Sequence, residues 1–367
     1  MAGKPRVLIL TPDFPPASGG IQLVVHRLAA TMSRLDPLVV APGGEEAAGF
    51  DSHSSVPVRR VPQVALDHRG TVARLNLDSL LAARDFRPDC VLSAHVVTSP
   101  SAALLRRRFN IPVAQYLHGS EVGARPRLSA FAVRHADVTI AVSRHTCDLA
   151  RRVGASDDAL RRIPPGVDLP ERHPQPRAAD PTIITVARLA EAYKGHDTII
   201  RALPLVRARI PKVVWIAIGA GPRRRQLERL AEIYGVRDTV HFLGEVTDDE
   251  RDQWLERAHV FTMPSRLPAK GLGGEGFGIV YLEASWHELP VVAGNAGGAV
   301  DAVDDGQTGI LVNATDSVAV ADALIRLLVD RDLARKLGRR GAARAREFGW
   351  SVIAGRVEDV LLSMIGR

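Results

Sequence analysis

The feature that narrows the fold most is a rhythm carried through the whole chain. Short continuous apolar runs alternate with stretches whose apolar residues recur at helical spacing. The runs fall at Arg6–Thr11, 38–41, 58–61, 90–93, 113–117 and 138–142, and again at 182–187, 213–218, 240–242, 260–263, 290–293 and 309–312. A run that is apolar throughout predicts a strand buried on both faces, as in parallel sheets. Helical spacing fills the gaps at 21–35, 71–86, 99–109, 127–135 and 144–153, then at 195–209, 222–234, 248–257, 279–287 and 316–329. Strands alternating with helices predict a parallel sheet covered on both sides. The rhythm breaks once, over the proline-rich stretch from Arg162 to Pro181, which reads as a linker. Two doubly wound α/β domains in series are therefore expected. The first comprises 1–168 plus a returning helix in 350–367, and the second 169–349. Ligands of such domains sit at the carboxyl ends of the strands, so the two are expected to face each other across a cleft.

A chain of 367 residues has room for two separate cores. Its two cysteines, Cys90 and Cys147, offer no disulfide framework and no metal-ligand spacing, which points to a reducing cytoplasm. No apolar run reaches the ~20 residues of a membrane span, and no signal peptide is expected. The formal net charge of +7 favours anionic partners. The basic runs at 106–108, 223–225 and 331–346 lack interleaved aromatic residues and fit no nucleic-acid module. They read as solvated helix faces; for Arg106-Arg107-Arg108 the sharper reading is contact with anionic lipid head groups.

The chemistry concentrates in Leu272-Gly-Gly-Glu275-Gly-Phe-Gly-Ile-Val-Tyr-Leu-Glu283-Ala-Ser-Trp286, a glycine-rich loop running into a helix that should begin near Ile279. A helix start presents free N–H groups and the positive end of its dipole to an anion. Gly276, Phe277, Gly278, Ile279 and Val280 form this junction. Glu275 lies in the loop and Glu283 one turn inside the helix. Two acids beside a phosphate site repel its ligand, and a helix terminus offers only ~0.3–1 kcal/mol per charge. Arg188 and Lys194, after the first strand of the second domain, supply the missing cations, one as a planar fork and one as a point charge. Lys194 is one of few lysines in a chain that otherwise uses arginine. The acids are then useful as acceptors from hydroxyls, worth ~1.5–3 kcal/mol for a charged partner. A sugar nucleotide carries both the diphosphate and the hydroxyls.

Two further positions sit at strand ends. Gly19-Gly20 precedes a helix after the first strand, without the G-x-G-x-x-G spacing of a dinucleotide site. Gly219-Ala-Gly221-Pro-Arg-Arg224 comes nearest to that fingerprint, but arginine replaces its third glycine, which weighs against a nicotinamide enzyme. His118, in Leu117-His-Gly119, follows another strand, where it could bond a sugar hydroxyl or steady developing charge.

At these residues the sequence resembles the retaining, nucleotide-sugar-dependent glycosyltransferases of family 4, which have the GT-B fold. The motifs are Asp13-Phe-Pro-Pro-x-x-Gly-Gly-Ile-Gln22, His118-Gly-x-Glu121-Val122, Pro164-Pro-Gly-Val-Asp168, Arg188-Leu with Lys194-Gly195, Gly219-x-Gly-Pro222, Glu275-Gly-x-Gly-Ile-Val-x-Leu-Glu283-Ala and Ala293-Gly-Asn-x-Gly-Gly298. The acid pair matches the E-x7-E signature. Within the family it is most similar to actinobacterial phosphatidylinositol mannosyltransferases, which use GDP-mannose. The resemblance implies Gly20 near the diphosphate and His118 near the transferred sugar. It places Arg188 and Lys194 on the phosphates, Glu275 on the sugar hydroxyls and Glu283 on the ribose. Val246 and Asp248 then contact the base. It further implies a metal-independent, same-face transfer to an acceptor hydroxyl on a glycolipid or small molecule, with no cofactor beyond the donor. Peripheral attachment at the inner face of the membrane is the matching location. A UDP- or dTDP-sugar enzyme of antibiotic or polysaccharide synthesis is the alternative. Outside the class stand a non-catalytic nucleotide-sugar-binding protein, an epimerase and a phosphorylase, the last needing a pyridoxal-phosphate lysine with no clear candidate here.

Overall fold

The computed structural model describes residues 3–63, 68–171, 175–268 and 273–365. Leu272, Lys270 and the linker residues 172–174 lie outside them. The chain divides into two compact units, Met1–Gly166 with Phe348–Arg367, and Val167–Glu347.

The first unit opens β1 (Arg6–Leu10), α1 (Gly20–Thr31), β2 (Asp36–Pro42), α2 (Ala47–His53), β3 (Val58–Val61), α3 (His68–Phe86), β4 (Cys90–Ser93) and α4 (Ser99–Phe109). It continues with β5 (Val113–Leu117), α5 (Ser120–Ala124), α6 (Pro126–Arg134), β6 (Val138–Ala141), α7 (Arg144–Arg152) and β7 (Leu160–Arg162). The sheet order is β3-β2-β1-β4-β5-β6-β7, all parallel. Order reverses beside β1, so the edge between β1 and β4 is a topological switch point. Continuous burial of β1, β4, β5 and β6 follows from their uninterrupted apolar sequence.

The second unit runs β8 (Thr182–Val186), α8 (His196–Arg209), β9 (Val214–Ile218), α9 (Arg224–Ile233), β10 (Val240–Gly244), α10 (Asp248–Arg257) and β11 (Val260–Met263). Then come α11 (Ile279–Trp286), β12 (Val291–Gly294), α12 (Ala299–Ala302), β13 (Gly309–Val312), α13 (Ser317–Val329) and α14 (Arg331–Arg346). Its parallel sheet has the order β10-β9-β8-β11-β12-β13. The core gathers Ile183, Trp215, Val240, Val260 and Val292 from the sheet, with Ile199, Leu203, Leu227 and Leu324 from the helices. Arg177 pins the chain entering this unit, donating to the carbonyls of Glu256, Ala258 and His287 at the carboxyl ends of α10 and α11.

Two expectations need correction. The first helix stops at Thr31 rather than continuing to Leu35. The cause lies far away in sequence, in the closing helix α15 (Trp350–Ile365), which belongs to the first unit and packs on α1. Its buried Glu358 carboxylate accepts the N–H groups of Ser33, Arg34 and Leu35 at 2.8, 2.6 and 3.1 Å. Those donors therefore leave the helical ladder and are satisfied by a side chain. Secondly, a seventh strand, β7, lies just ahead of the strand-poor stretch that begins at Arg162, where no strand was expected. With two charged residues in Leu160-Arg161-Arg162 it shows no apolar run. As an edge strand it needs only one neighbour, β6.

Replacing Glu358 by alanine strands three clustered N–H groups and should destabilise the first unit by ~3 kcal/mol. Denaturant unfolding checks this, and an unchanged midpoint would contradict the bond pattern.

Candidate functional site

In the first unit, Thr11 closes the turn after β1 by accepting the Asp13 N–H at 3.0 Å and donating to its carbonyl. Asp13 in turn accepts from Gln22 at 3.2 Å, one turn into α1. Gly19 and Gly20 thus stand at the start of α1, where Gly19 is the cap residue, makes no side-chain cap bond and has the Gln22 amide against it. His118 follows β5. Its backbone N–H meets Glu121 Oε1 at 2.5 Å, and its ring Nε2 lies 2.9 Å from the Ala94 carbonyl. A carbonyl only accepts, so Nε2 donates, and Nδ1 is the nitrogen left to face a ligand. The Tyr116 ring packs on the imidazole at 4.9 Å between centroids.

In the second unit the loops after β8, β11 and β12 converge. Gly278 sits at φ 87° as the cap residue of α11, with no side-chain cap, which leaves the helix start open as the sequence predicts. The next loop presses directly on this one. Gly298 donates its N–H to the Glu275 carbonyl at 2.8 Å, and a Cβ on Gly298 would collide with the Gly276 backbone. Phe277 is buried beneath the junction, while Ile279 and Val280 are half-buried. Tyr281 anchors α11 from below, its hydroxyl donating to the Met263 carbonyl at 2.7 Å and meeting Ser265 Oγ at 2.9 Å.

The charges are arranged in pairs. Lys194 Nζ lies 2.5 Å from Glu275 Oε2, both side chains largely covered. Burial pulls the Lys194 ammonium toward neutrality, but Glu275 outweighs it and holds the pKa above the ordinary lysine value. Arg188 is exposed and bonds Glu191 at 2.8 Å. Glu283 is half-buried. Burial raises its pKa, against the opposing pull of Arg251. Arg251 also bonds Asp248 at 2.7 Å and Asp252 at 2.9 Å. Asp248 opens α10, whose start is fixed by a capping box between Thr247 and Glu250; Val246 precedes it, half-buried.

The second unit therefore brings Lys194 to Glu275 and Asp248 and Glu283 to one guanidinium. Glu275, expected to await a hydroxyl, already has a cationic partner in Lys194, while Glu283 lies in the field of an Arg251 that is ion-paired to Asp248 and Asp252. Arg251 is the residue the sequence reading passed over as a site candidate. Its signal was the Asp248-x-x-Arg251 spacing, which places both side chains on one helix face. His196, also passed over, is the first residue of α8. It is buried with neither ring nitrogen bonded, and burial, aided by Lys194 and Arg223, lowers its pKa to about 4. Among the described residues no group of three His, Cys, Asp or Glu side chains is arranged to hold a metal ion.

Two parallel-sheet Rossmann-like domains, with an uncapped helix start at the strand ends of the second, have the architecture of the GT-B glycosyltransferases. The family description "Glycosyltransferase Family 4" matches residues 18–171, and "Glycosyl transferases group 1" matches 170–344. A GDP-mannose-dependent alpha-(1-6)-phosphatidylinositol monomannoside mannosyltransferase of Mycobacterium tuberculosis is 33% identical, covering 97% of this chain and 98% of its own. A GDP-mannose-dependent monoacylated alpha-(1-6)-phosphatidylinositol monomannoside mannosyltransferase of Corynebacterium glutamicum is 30% identical, covering 99% of each chain. The chain belongs to the family 4 glycosyltransferases. Among solved structures, the sucrose-phosphate synthase of Thermosynechococcus elongatus shares the fold at TM-score 0.82 and 22% identity, over 99% of this chain and 100% of its own. Anabaena HepE in complex with UDP and glucose does so at 0.80 and 21%, over 98% and 99%. The protein is thus a hexosyltransferase that draws on a nucleotide-sugar donor.

Because His196 is held neutral when folded but titrates near 6.5 when unfolded, its contribution is complete above pH 6.5. It is lost as pH falls from 6.5 to about 4, a component of about 3 kcal/mol. The stability of His196→Leu measured across that window should fall less steeply than that of the native chain. Parallel curves would remove His196 as a source of the acid sensitivity.

Proposed function

We propose that the enzyme transfers mannose from GDP-mannose to a hydroxyl of a phosphatidylinositol-type glycolipid, with retention of configuration and without a metal ion. The observation that carries this reading is the near-full-length similarity to enzymes whose names state GDP-mannose and phosphatidylinositol monomannosides. The paired charges fit it. Arg188 and Lys194 take the diphosphate together with the free N–H groups at the start of α11, the cationic support that a leaving diphosphate needs in the transition state. Glu275, released from Lys194, accepts from the sugar hydroxyls. Glu283 accepts from the ribose, and Val246 and Asp248 meet the base. On the first unit, Gly19 and Gly20 leave room for the diphosphate, and His118 Nδ1 accepts from a hydroxyl of the transferred sugar. No nucleophilic side chain is assigned, so the acceptor attacks on the face the diphosphate leaves, with a phosphate oxygen taking its proton.

The acceptor reading has a surface to match. Leu77 and Leu81 on α3, and Leu104 and Phe109 on α4, are exposed large apolar side chains on helices that pack together. Arg107 and Arg108 are exposed beside them, whereas Arg106 is occupied by Asp137. Apolar side chains ringed by arginine suit the surface of an anionic bilayer, where each basic residue contributes ~1 kcal/mol. No described helix is long and apolar enough to cross one.

Mass-spectrometric screening of GDP-, UDP- and dTDP-sugars against inositol lipids, with chelator present, tests the donor, acceptor and metal together. Mannosyl transfer from GDP-mannose is expected; a strict need for added Mg²⁺, or turnover with a UDP-sugar alone, would overturn the reading. Glu275→Gln should abolish transfer, by ~10³-fold or more, with nucleoside diphosphate binding retained. Activity surviving that change refutes the role given to Glu275. Leu81→Glu with Phe109→Glu should abolish sedimentation with phosphatidylglycerol vesicles while nucleotide binding stays intact; undiminished sedimentation excludes this surface.

A further inference from the structure

A second concentration of positive charge lies apart from the residues assigned to the donor. A groove of about 540 Å³ runs between α8 and α9, lined by Arg201, Arg223, Arg225 and Arg229, with Asp197 at one side and Ile233 at the end. Its charges are poorly compensated. Asp197 is the acid of the lining, and its carboxylate already serves both Arg201 at 2.7 Å and Arg266 at 2.9 Å. Arg223 donates to the neutral amide of Gln226. The neighbouring Arg224 is outside the lining and pairs with Glu228.

Arg225 and Arg229 are exposed and have no ion pair or hydrogen bond among the described residues. They stand one turn apart on the same helix face, where like charges repel. Arg225 also stands in the first turn of α9, which holds no acid, whose cap makes no side-chain bond, and whose dipole already presents positive charge. A helix of this kind ordinarily carries acids at its start. Arginine at that end, converging with Arg201 from the neighbouring helix, is the inverse arrangement, and an anion placed among them relieves every one of these repulsions. Guanidinium forks suit phosphate oxygens in particular.

We propose that the groove between α8 and α9 is a second anion site that binds a phosphate-bearing ligand through Arg201, Arg223, Arg225 and Arg229. Its floor is tied to the donor loop, because the Arg223 N–H bonds the carbonyl of Leu189, the residue after Arg188, at 3.0 Å. The site stands on its own geometry and does not depend on the identity of the donor sugar.

The test is calorimetric titration of pyrophosphate, and separately of dihexanoyl phosphatidylglycerol below its micelle concentration, into the full chain carrying Arg188→Ala. That background weakens the proposed donor phosphate contact, and the groove is read from the affinity that the further arginine replacements remove. Adding Arg225→Ala and Arg229→Ala should lower affinity by about tenfold or more, while the paired lysine replacements retain most of it. Both arginines are exposed, so the thermal midpoint without ligand should hold or rise, and GDP affinity in the Arg188 chain should not change. Pyrophosphate binding that the alanine pair lowers identifies a free phosphate compound as the ligand; lipid binding alone that the pair lowers identifies a lipid head group. Unchanged affinity after both alanine replacements, or no binding of either probe, overturns the proposal.

Discussion

The second unit depends on one close approach of backbone to backbone. Where Gly298 lies against Gly276, the loops after β11 and β12 touch without an intervening side chain, and the Gly298 N–H fastens the Glu275 carbonyl. Any Cβ there would push the loops apart. With them apart, Glu275 would lose its position opposite Lys194, and the uncapped start of α11 would no longer be held beside it. The glycines of this segment therefore have a mechanical role: they set the spacing of charged groups carried by two different loops.

The electrostatics follow from that spacing. Glu275 is answered directly by Lys194, whereas Glu283 feels only the opposing pull of Arg251, and burial still raises its pKa. A buried acid and a buried cation are each costly alone, and removing one partner strands the other. This ties the two ends of the proposed donor site to separate cations. Lys194 belongs to the loop after β8, and Arg251 to the first turn of α10. The same economy appears in the first unit, where a single carboxylate on the last helix, Glu358, satisfies the chain between α1 and β2.

The alternating apolar runs made the fold legible, since a parallel strand buried on both faces leaves an unmistakable sequence trace. β3, β4, β5, β11 and β13 lie at the residues expected from it. What stayed hidden depends on partners distant in the chain. Nothing near Ser33 signals that Glu358 will end α1, and Leu160-Arg161-Arg162 reads as polar because an edge strand needs no apolar run. Residue types and spacing marked Glu275, Glu283, Arg188 and Lys194 as candidates, and the start of α11 lies where the glycines put it. The pairing of Lys194 with Glu275 across 81 positions was not legible, because a sequence gives charges without distances. Arg251 was overlooked for a related reason: its spacing to Asp248 is visible, but its approach to Glu283 depends on how α10 meets α11.

The Lys194–Glu275 pair also bears on turnover. On the proposed assignment, a loaded donor satisfies both members at once, phosphate replacing Glu275 on the lysine and sugar hydroxyls replacing Lys194 on the glutamate. The spent nucleotide lacks the sugar. It can claim Lys194 only by leaving Glu275 covered and unanswered, so the re-forming pair competes with it for the lysine. On that assignment the re-forming ion pair works against retention of the spent nucleotide and favours its release after each transfer.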